Sequence, residues 1–126
     1  MADETSHLSP AERAELKDRL AAEREATTRQ IAALTQGFDA IVESSAMTVP
    51  DDEHDPDGST IGFERAQLAA LLRQARSRLD DLNRAQDRLR DGVYGVCERC
   101  GRPIARERLM ALPSVATCVD CAASAT

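Results

Sequence analysis

Four cysteines near the C-terminal end form two Cys-x-x-Cys pairs, separated by seventeen residues, and the chain has no other cysteine. Each short pair can present two thiolates from one tight loop, and the intervening segment can bring both loops to one tetrahedral Zn²⁺. Gly101 directly follows the second thiol, where the backbone must turn back and a residue without Cβ reaches positive φ at little cost. The spacing predicts one closed structural Zn(II) site per chain, bound by Cys97, Cys100, Cys118 and Cys121.

The four cysteines could instead form a redox-active dithiol or two disulfides. A redox Cys-x-x-Cys occurs singly and needs one exposed thiolate of low pKa, so two matched pairs fit it poorly. Disulfides would require export, and the opening MADETSHLSP has neither the basic stretch nor the apolar core of a signal peptide. No apolar run approaches the roughly eighteen residues of a membrane span. We expect a cytoplasmic protein with no membrane association.

The cysteine cluster does not predict an enzyme. A catalytic zinc keeps an open coordination position, whereas four thiolates fill the coordination sphere. His7 and His54 lie far from the cysteines in sequence and have no partners at metal-binding spacing, so both are expected to be solvated. The sequence contains no nucleophile elbow, phosphate loop or paired-carboxylate site.

The composition favours long helices over a conventional globular core. With no Trp, one Tyr and two Phe in 126 residues, such a core is hard to fill. Ser9, Pro10 and Glu12 combine an N-cap serine, a proline at the first helical position and a capping-box glutamate. Leu8 supplies the outer half of a hydrophobic staple. We expect a disordered N-terminus over residues 1–8 and a helix that starts after Ser9.

Two segments carry apolar residues at heptad spacing. Their members pair with position numbers that sum to about 102, as in Leu34 with Leu68 and Leu20 with Leu82, which an antiparallel register requires. The pattern predicts an all-α fold: a long antiparallel coiled-coil hairpin over residues 9–92, followed by a C-terminal four-cysteine zinc-finger module over residues 93–126. This register buries both seams, so we expect a monomer. The seam positions are Ile31, Leu34, Phe38 and Ile41 in the first segment and Leu68, Leu72, Ala75, Leu79, Leu82, Leu89 and Val93 in the second.

Residues 48–59 lie between the seams and contain two prolines and a glycine, so they are predicted to form the tip loop of the hairpin. Five of the seven residues 51–57 are acidic. One reading is a solvated turn whose carboxylates favour the N-terminus of the second helix. The other is that a narrow hairpin delivers carboxylates to a site that a globular domain cannot enter. The spacing does not decide between them.

Glycines, an Arg-Leu pair and an Ala-x-Pro recur at fixed places around the cysteines. The motif reads Tyr94-Gly95-x-Cys97-x-x-Cys100-Gly101-x-x-Ile104-x-x-x-Arg108-Leu109-x-Ala111-x-Pro113, then Cys118-x-x-Cys121. It closely resembles the zinc-finger signature of the DksA/TraR family of bacterial transcription regulators, and with the preceding hairpin the resemblance covers most of the chain. It implies a regulator that binds RNA polymerase directly, without sequence-specific DNA binding. The hairpin would enter the secondary channel of the polymerase, where its tip modulates initiation.

The resemblance assigns the modulating role to the acidic loop, although the motif there differs. The best-known members carry Asp-x-x-Asp-x-Ala at the tip. In this chain Asp55, Asp57 and Ser59 take those places, with one residue fewer between the aspartates and serine in place of alanine. Asp52 and Asp55 also satisfy Asp-x-x-Asp, but that register puts Asp57 where alanine is expected.

A second departure concerns the nucleotide ppGpp. By the resemblance, responsive members use basic residues just before the proline of the module, just after the last cysteine and on the second arm. Leu112, Ala122 and Asp81 occupy these positions here. An anionic ligand would lose its countercharges and meet a carboxylate, so ppGpp dependence is doubtful and weak or absent synergy is expected.

Net charge favours a protein partner over nucleic acid. The chain carries −6, and four thiolates with one Zn²⁺ bring this to about −8, which phosphate backbones repel. Arg102, Arg106 and Arg108 form either a solvated face or a docking surface for the polymerase. Two alternatives stay open: a zinc-stabilised coiled-coil adaptor with an inert tip, and a nucleic-acid-binding zinc ribbon, which the charge disfavours.

Overall fold

The computed structural model describes the backbone of residues 7–47 and 56–124, with side chains for 7–44 and 60–124. Within these ranges four helices follow one another: α1 (Pro10–Met47), α2 (Pro56–Asp91), α3 (Arg106–Ala111) and α4 (Val119–Ser124). The described residues contain no strand, only an isolated antiparallel bridge between Val96 and Pro103. The predicted fold class, an all-α hairpin with a C-terminal zinc module, is confirmed. None of the helices in the described ranges combines the length and apolarity needed to cross a bilayer.

The start of α1 is fixed by the predicted capping box. The backbone N–H of Glu12 donates to Ser9 Oγ at 3.1 Å, and the N–H of Ser9 donates to Glu12 Oε1 at 2.9 Å. This reciprocal pair satisfies amides that have no partner within the helix. The N–H of Ser9 is also the main reason why the pKa of Glu12 is lowered. Leu8, which precedes the cap, is buried in the hydrophobic core.

The end of α2 is a Schellman motif. The N–H of Gly92 donates to the carbonyl of Leu89, and the N–H of Val93 donates to the carbonyl of Arg88. Gly92 has φ of +79°, a conformation that a residue without Cβ adopts at little cost. The chain therefore leaves the helix here and enters the zinc module.

The chain divides into two compact units, and the first combines residues 1–25 with residues 80–126. In this unit the first turns of α1 and the last turns of α2 run antiparallel and share one hydrophobic core with the zinc module. Leu20 and Leu82, which the register paired, are both fully buried. The core consists of Leu8, Leu16, Leu20, Leu82, Ala85, Tyr94, Cys97, Ile104 and Leu109.

The second unit contains residues 26–79. Thr27 and Ala75, another pair in the predicted register, are both buried, and Leu72 is buried one turn before Ala75. A Cβ added to Gly37 would lie 3.7 Å from Leu68 Cδ1, so the two helices also approach closely at this glycine. Among the described residues of this unit, the buried ones are therefore one leucine and two smaller residues.

The structure corrects three expectations from the sequence. Helix α2 begins at Pro56, so residues 56–59, expected in the tip loop, form its first turn; proline is favoured at this position because the first helical N–H needs no partner. His7 and Leu8, expected to be disordered, pack in the first unit. Val93, expected in the seam, is 46% exposed because α2 has already ended.

Candidate metal centre and its surroundings

The structure brings the four cysteines into one cluster. All four Sγ atoms lie within 4.8 Å of one another, and those of Cys100 and Cys118 are 3.7 Å apart. Four sulfurs at about 2.3 Å from a tetrahedral zinc would be about 3.8 Å from each other, so this donor set fits Zn²⁺. Cys97 is buried, whereas Cys100 is exposed. The prediction of one structural zinc is confirmed.

The first Cys-x-x-Cys loop is closed by backbone hydrogen bonds. The N–H of Gly101 donates to the carbonyl of Cys97 at 2.9 Å, and the N–H of Cys97 donates to the carbonyl of Arg102 at 2.8 Å. Gly101 has φ of +76°, the positive value that the sequence predicted. The N–H of Glu98 donates to the carbonyl of Ala116 at 2.9 Å, which ties this loop to the segment before the second pair.

The second pair opens α4. The N–H of Cys121 donates to Cys118 Sγ at 3.5 Å, and the N–H of Ala122 donates to the carbonyl of Cys118 at 2.9 Å. Backbone amides directed at sulfur stabilise the thiolate form that binds metal. The second loop therefore positions its two sulfurs through the first turn of α4. Unlike the first loop, it has no glycine after its second cysteine.

The thiols differ in proton affinity. Burial disfavours the Cys97 thiolate, but hydrogen bonds from the backbone of Cys100, Cys118 and Arg99 outweigh it and lower the pKa of Cys97 to about 6. The hydrogen bond with Cys118, followed by burial, raises the pKa of Cys121 to about 12. Metal binding must therefore release the proton of Cys121.

Tyr94 joins the start of the zinc module to its later segment around Pro113. Its ring is 1% exposed, and its hydroxyl donates to the carbonyl of Pro113 at 2.7 Å. Burial raises the pKa of this phenol to about 12. Because buried polar atoms need partners, this bond fixes the Ala-x-Pro segment against the core.

Basic side chains hold the module to the ends of α1 and α2 by donating to its backbone carbonyls. Arg19 Nη1 donates to Met110 at 2.6 Å, Arg88 Nη2 donates to Val96, and His7 Nε2 donates to Ile104 at 2.9 Å. His7 is therefore a half-buried packing residue, and the expectation that it is solvated was wrong. Sequence spacing could not find these contacts, because each joins residues from different elements.

The three arginines predicted for docking have different surroundings. Arg106 forms an ion pair with Glu12 of the capping box, and Arg108 Nε donates to the carbonyl of Thr117 at 3.0 Å. Arg102 is exposed, and its carbonyl accepts the hydrogen bond from the N–H of Cys97. Two of these side chains therefore have contacts inside the first unit.

The predicted tip residues are only partly within the described structure. Asp52 and Asp55 lie outside the described residues, as does His54. Asp57 and Ser59 belong to the first turn of α2, and their side chains are not described. Their role therefore stays a prediction.

Asp81 and Leu112 are two of the three positions considered above for ppGpp binding. Both line one cavity of the first unit, with a volume of about 340 Å³. The arginines beside it are already engaged: Arg84 pairs with Asp81 at 2.8 Å, and Arg88 contacts Glu98 at 3.4 Å. This cavity offers an anion few unpaired cations.

Fold and site together define an all-α coiled-coil hairpin protein with a C4 zinc finger. Residues 92–126 match the sequence profile of the prokaryotic dksA/traR C4-type zinc finger. A solved structure, transcription factor DksA2 from Pseudomonas aeruginosa, superimposes with a TM-score of 0.74 over 93% of this chain and 84% of that one, at 24% identity. Residues 92–126 therefore carry a C4 zinc finger of the dksA/traR type, and the fold of the chain is similar to that of DksA2.

Curated relatives are similar over shorter segments. General stress protein 16O of Bacillus subtilis (strain 168) is 39% identical over 62 residues, which are 49% of this chain and 38% of that protein. The uncharacterized protein YteA of the same strain is 36% identical over 69 residues, 55% of this chain and 29% of that one. The chain thus aligns with about a third of the length of these relatives.

Proposed function

We propose that this protein is a transcription regulator that binds RNA polymerase directly and inserts the tip of its hairpin through the secondary channel to modulate initiation. The observation that carries the proposal is the fold shared with the transcription factor DksA2 over 93% of the chain, together with the C4 module of the family. The protein is not an enzyme in this proposal. Four thiolates fill the coordination of a zinc, so no open position is left for substrate or water.

The charge of the chain supports a protein partner. At −6 before metal binding, the protein is repelled by nucleic acid. Two arginines of the module are also engaged inside the first unit, Arg106 with Glu12 and Arg108 with Thr117. Arg102 is exposed and is the module arginine that we propose for polymerase docking.

The modulating residues are proposed to be the acidic ones of the tip. Asp55 precedes α2, and Asp57 lies in its first turn. In solvent, carboxylates at this end of a helix gain from the helix dipole, which is a purely structural role. In the polymerase channel the same charges would face the active centre. The two roles differ in what charge removal does to transcription.

Asp55→Asn/Asp57→Asn tests the tip. We expect the variant to bind core RNA polymerase in a pull-down as well as wild type and to lose its effect in transcription in vitro. A matched control is Asp18→Asn/Asp80→Asn, which removes the same charge from two exposed positions elsewhere and should keep the effect. If the wild-type protein binds polymerase but does not change transcription, the coiled-coil adaptor is favoured. If it binds DNA in a salt-sensitive way and does not bind polymerase, the nucleic-acid-binding zinc ribbon is favoured.

We also predict weak or absent ppGpp synergy. Leu112 and Asp81 lie at a cavity whose neighbouring arginines are paired, and Asp81 itself would repel an anion. In the transcription assay, ppGpp should change output no more in the presence of the protein than in its absence. The variant Asp81→Lys/Ala122→Lys, which supplies two cations, should increase the response. Strong dependence of wild type on both the protein and ppGpp would refute this prediction.

A further inference from the structure

A second cavity of the first unit has a different electrostatic character. It has a volume of about 460 Å³ and is lined by Arg13, Ala14, Lys17, Gln86, Leu89 and Arg90, so α1 forms one wall and α2 the other. This volume lies within the range of small-molecule sites, about 300–1,000 Å³. We name it the basic groove. Three of its six lining residues are cations in a chain of net charge −6.

Two of these cations have no countercharge among residues 7–44 and 60–124. Arg13 and Lys17 lie one turn apart on α1, a spacing at which like charges repel. Neither has a carboxylate within ion-pair distance in the part of the chain that the structure describes. Arg90, across the groove, differs: it contacts Asp87 at 3.1 Å and Asp91 at 3.5 Å. The groove therefore carries an excess of two positive charges on its α1 wall.

The guanidinium of Arg13 also lacks an acceptor. Its Nη1 atom is buried and has no hydrogen-bond partner in the described structure. A buried donor left without an acceptor costs free energy, and more so when the donor is charged. An anion that enters the groove would offset the repulsion between Arg13 and Lys17 and would supply a countercharge to the guanidinium of Arg13.

We propose that the basic groove binds a small molecule that carries at least two phosphate charges. A single carboxylate would balance only one of the two unpaired cations, whereas linked phosphates balance both and accept hydrogen bonds from arginine and lysine together. The space is larger than an inorganic ion needs. Ala14 and Leu89 give part of the lining an apolar surface for an organic group. The groove is lined by none of the residues around the cavity of Asp81 and Leu112.

Inorganic pyrophosphate is the probe. In an NMR titration of the zinc-loaded full chain, we expect saturable amide shifts in residues 13–17 and 86–90. The variant Arg13→Gln/Lys17→Gln should weaken the affinity at least about tenfold, because two charge-assisted contacts are lost. It should unfold at the same temperature as wild type or higher, since a like-charge pair is removed. Arg90→Gln, at an exposed side chain, is a second variant that should also weaken binding.

The matched control is Arg29→Gln/Arg65→Gln, which changes the net charge equally at two exposed positions outside the groove. It should bind pyrophosphate as wild type does. Equal weakening in both double variants would overturn the proposal, because binding would then follow net charge alone. Malonate binding as tight as pyrophosphate would overturn the phosphate assignment, and duplex DNA shifting the same amides would overturn the small-molecule assignment. Absence of saturable shifts would overturn the site itself.

Discussion

Cys97→Ser is expected to unfold the zinc module. Cys97 is 1% exposed, and it belongs to the core that includes Leu20 and Leu82. A serine hydroxyl does not replace the thiolate, and structural zinc contributes about 10–16 kcal/mol to the folding of small modules. Hydrogen exchange should therefore accelerate throughout residues 94–121, most clearly at the amides of Cys97 and Ile104, which are hydrogen-bonded within the module. Much of the hairpin should stay protected, because residues 26–79 form a unit of their own.

Tyr94 provides an independent readout, because it is the only tyrosine and the chain has no tryptophan. Burial holds its pKa at about 12 in the folded protein, against 10.0 when exposed. Since the folded pKa is the higher one, this group stabilises the fold below pH 10, and the contribution is lost as the pH rises towards 12. In Cys97→Ser, the absorbance titration of the phenol should move down to about 10.

Val119→Ser is the control for this variant. Val119 lies between the two cysteines of the second pair, but it is 58% exposed and contributes no sulfur. It should keep the zinc, the slow exchange and the high pKa of Tyr94. Unchanged protection of residues 94–121 in metal-free protein would contradict the role assigned to zinc.

Leu82→Ala should strongly destabilise the first unit. The side chain is fully buried among residues of α1, α2 and the module, so truncation leaves a cavity in the core that all three share. Leucine-to-alanine changes at such positions cost about 2–5 kcal/mol. Urea denaturation of the zinc-loaded protein, followed by circular dichroism, measures this loss.

The same substitution at Leu71 serves as the comparison. Leu71 lies on the same helix and is 40% exposed, so Leu71→Ala removes equal volume with little loss of packing. We expect a free energy of unfolding close to that of wild type. If the two variants lose the same stability, the shared core is not what holds the first unit together.

The sequence predicted the features that depend on local spacing. The two cysteine pairs, the capping box of Ser9 and Glu12 and the pairing of Leu20 with Leu82 follow from residue type and periodicity, and the structure has each of them. Local rules work here because the residues of each Cys-x-x-Cys pair, and those of the capping box, lie only three positions apart. The third rests on a helical period that holds over many turns.

The ends of α2 and the packing of His7 were not predicted in this way. The seam pattern continued to Val93, but the Schellman motif at Gly92 ended α2 before it. A proline can occur in a loop or at the first position of a helix. The sequence pattern predicts Pro56 in the tip loop, whereas the structure has it at the start of α2. His7 had no motif, and its packing depends on a carbonyl far along the chain.

Arg19, Arg88 and His7 each donate a hydrogen bond to a carbonyl oxygen of the module. Every residue type has the same carbonyl, so these contacts do not depend on what Met110, Val96 or Ile104 is. Substitutions at these three positions can therefore leave the hydrogen bonds intact. A module grafted from a relative should keep the same three hydrogen bonds, provided that its backbone follows the same path.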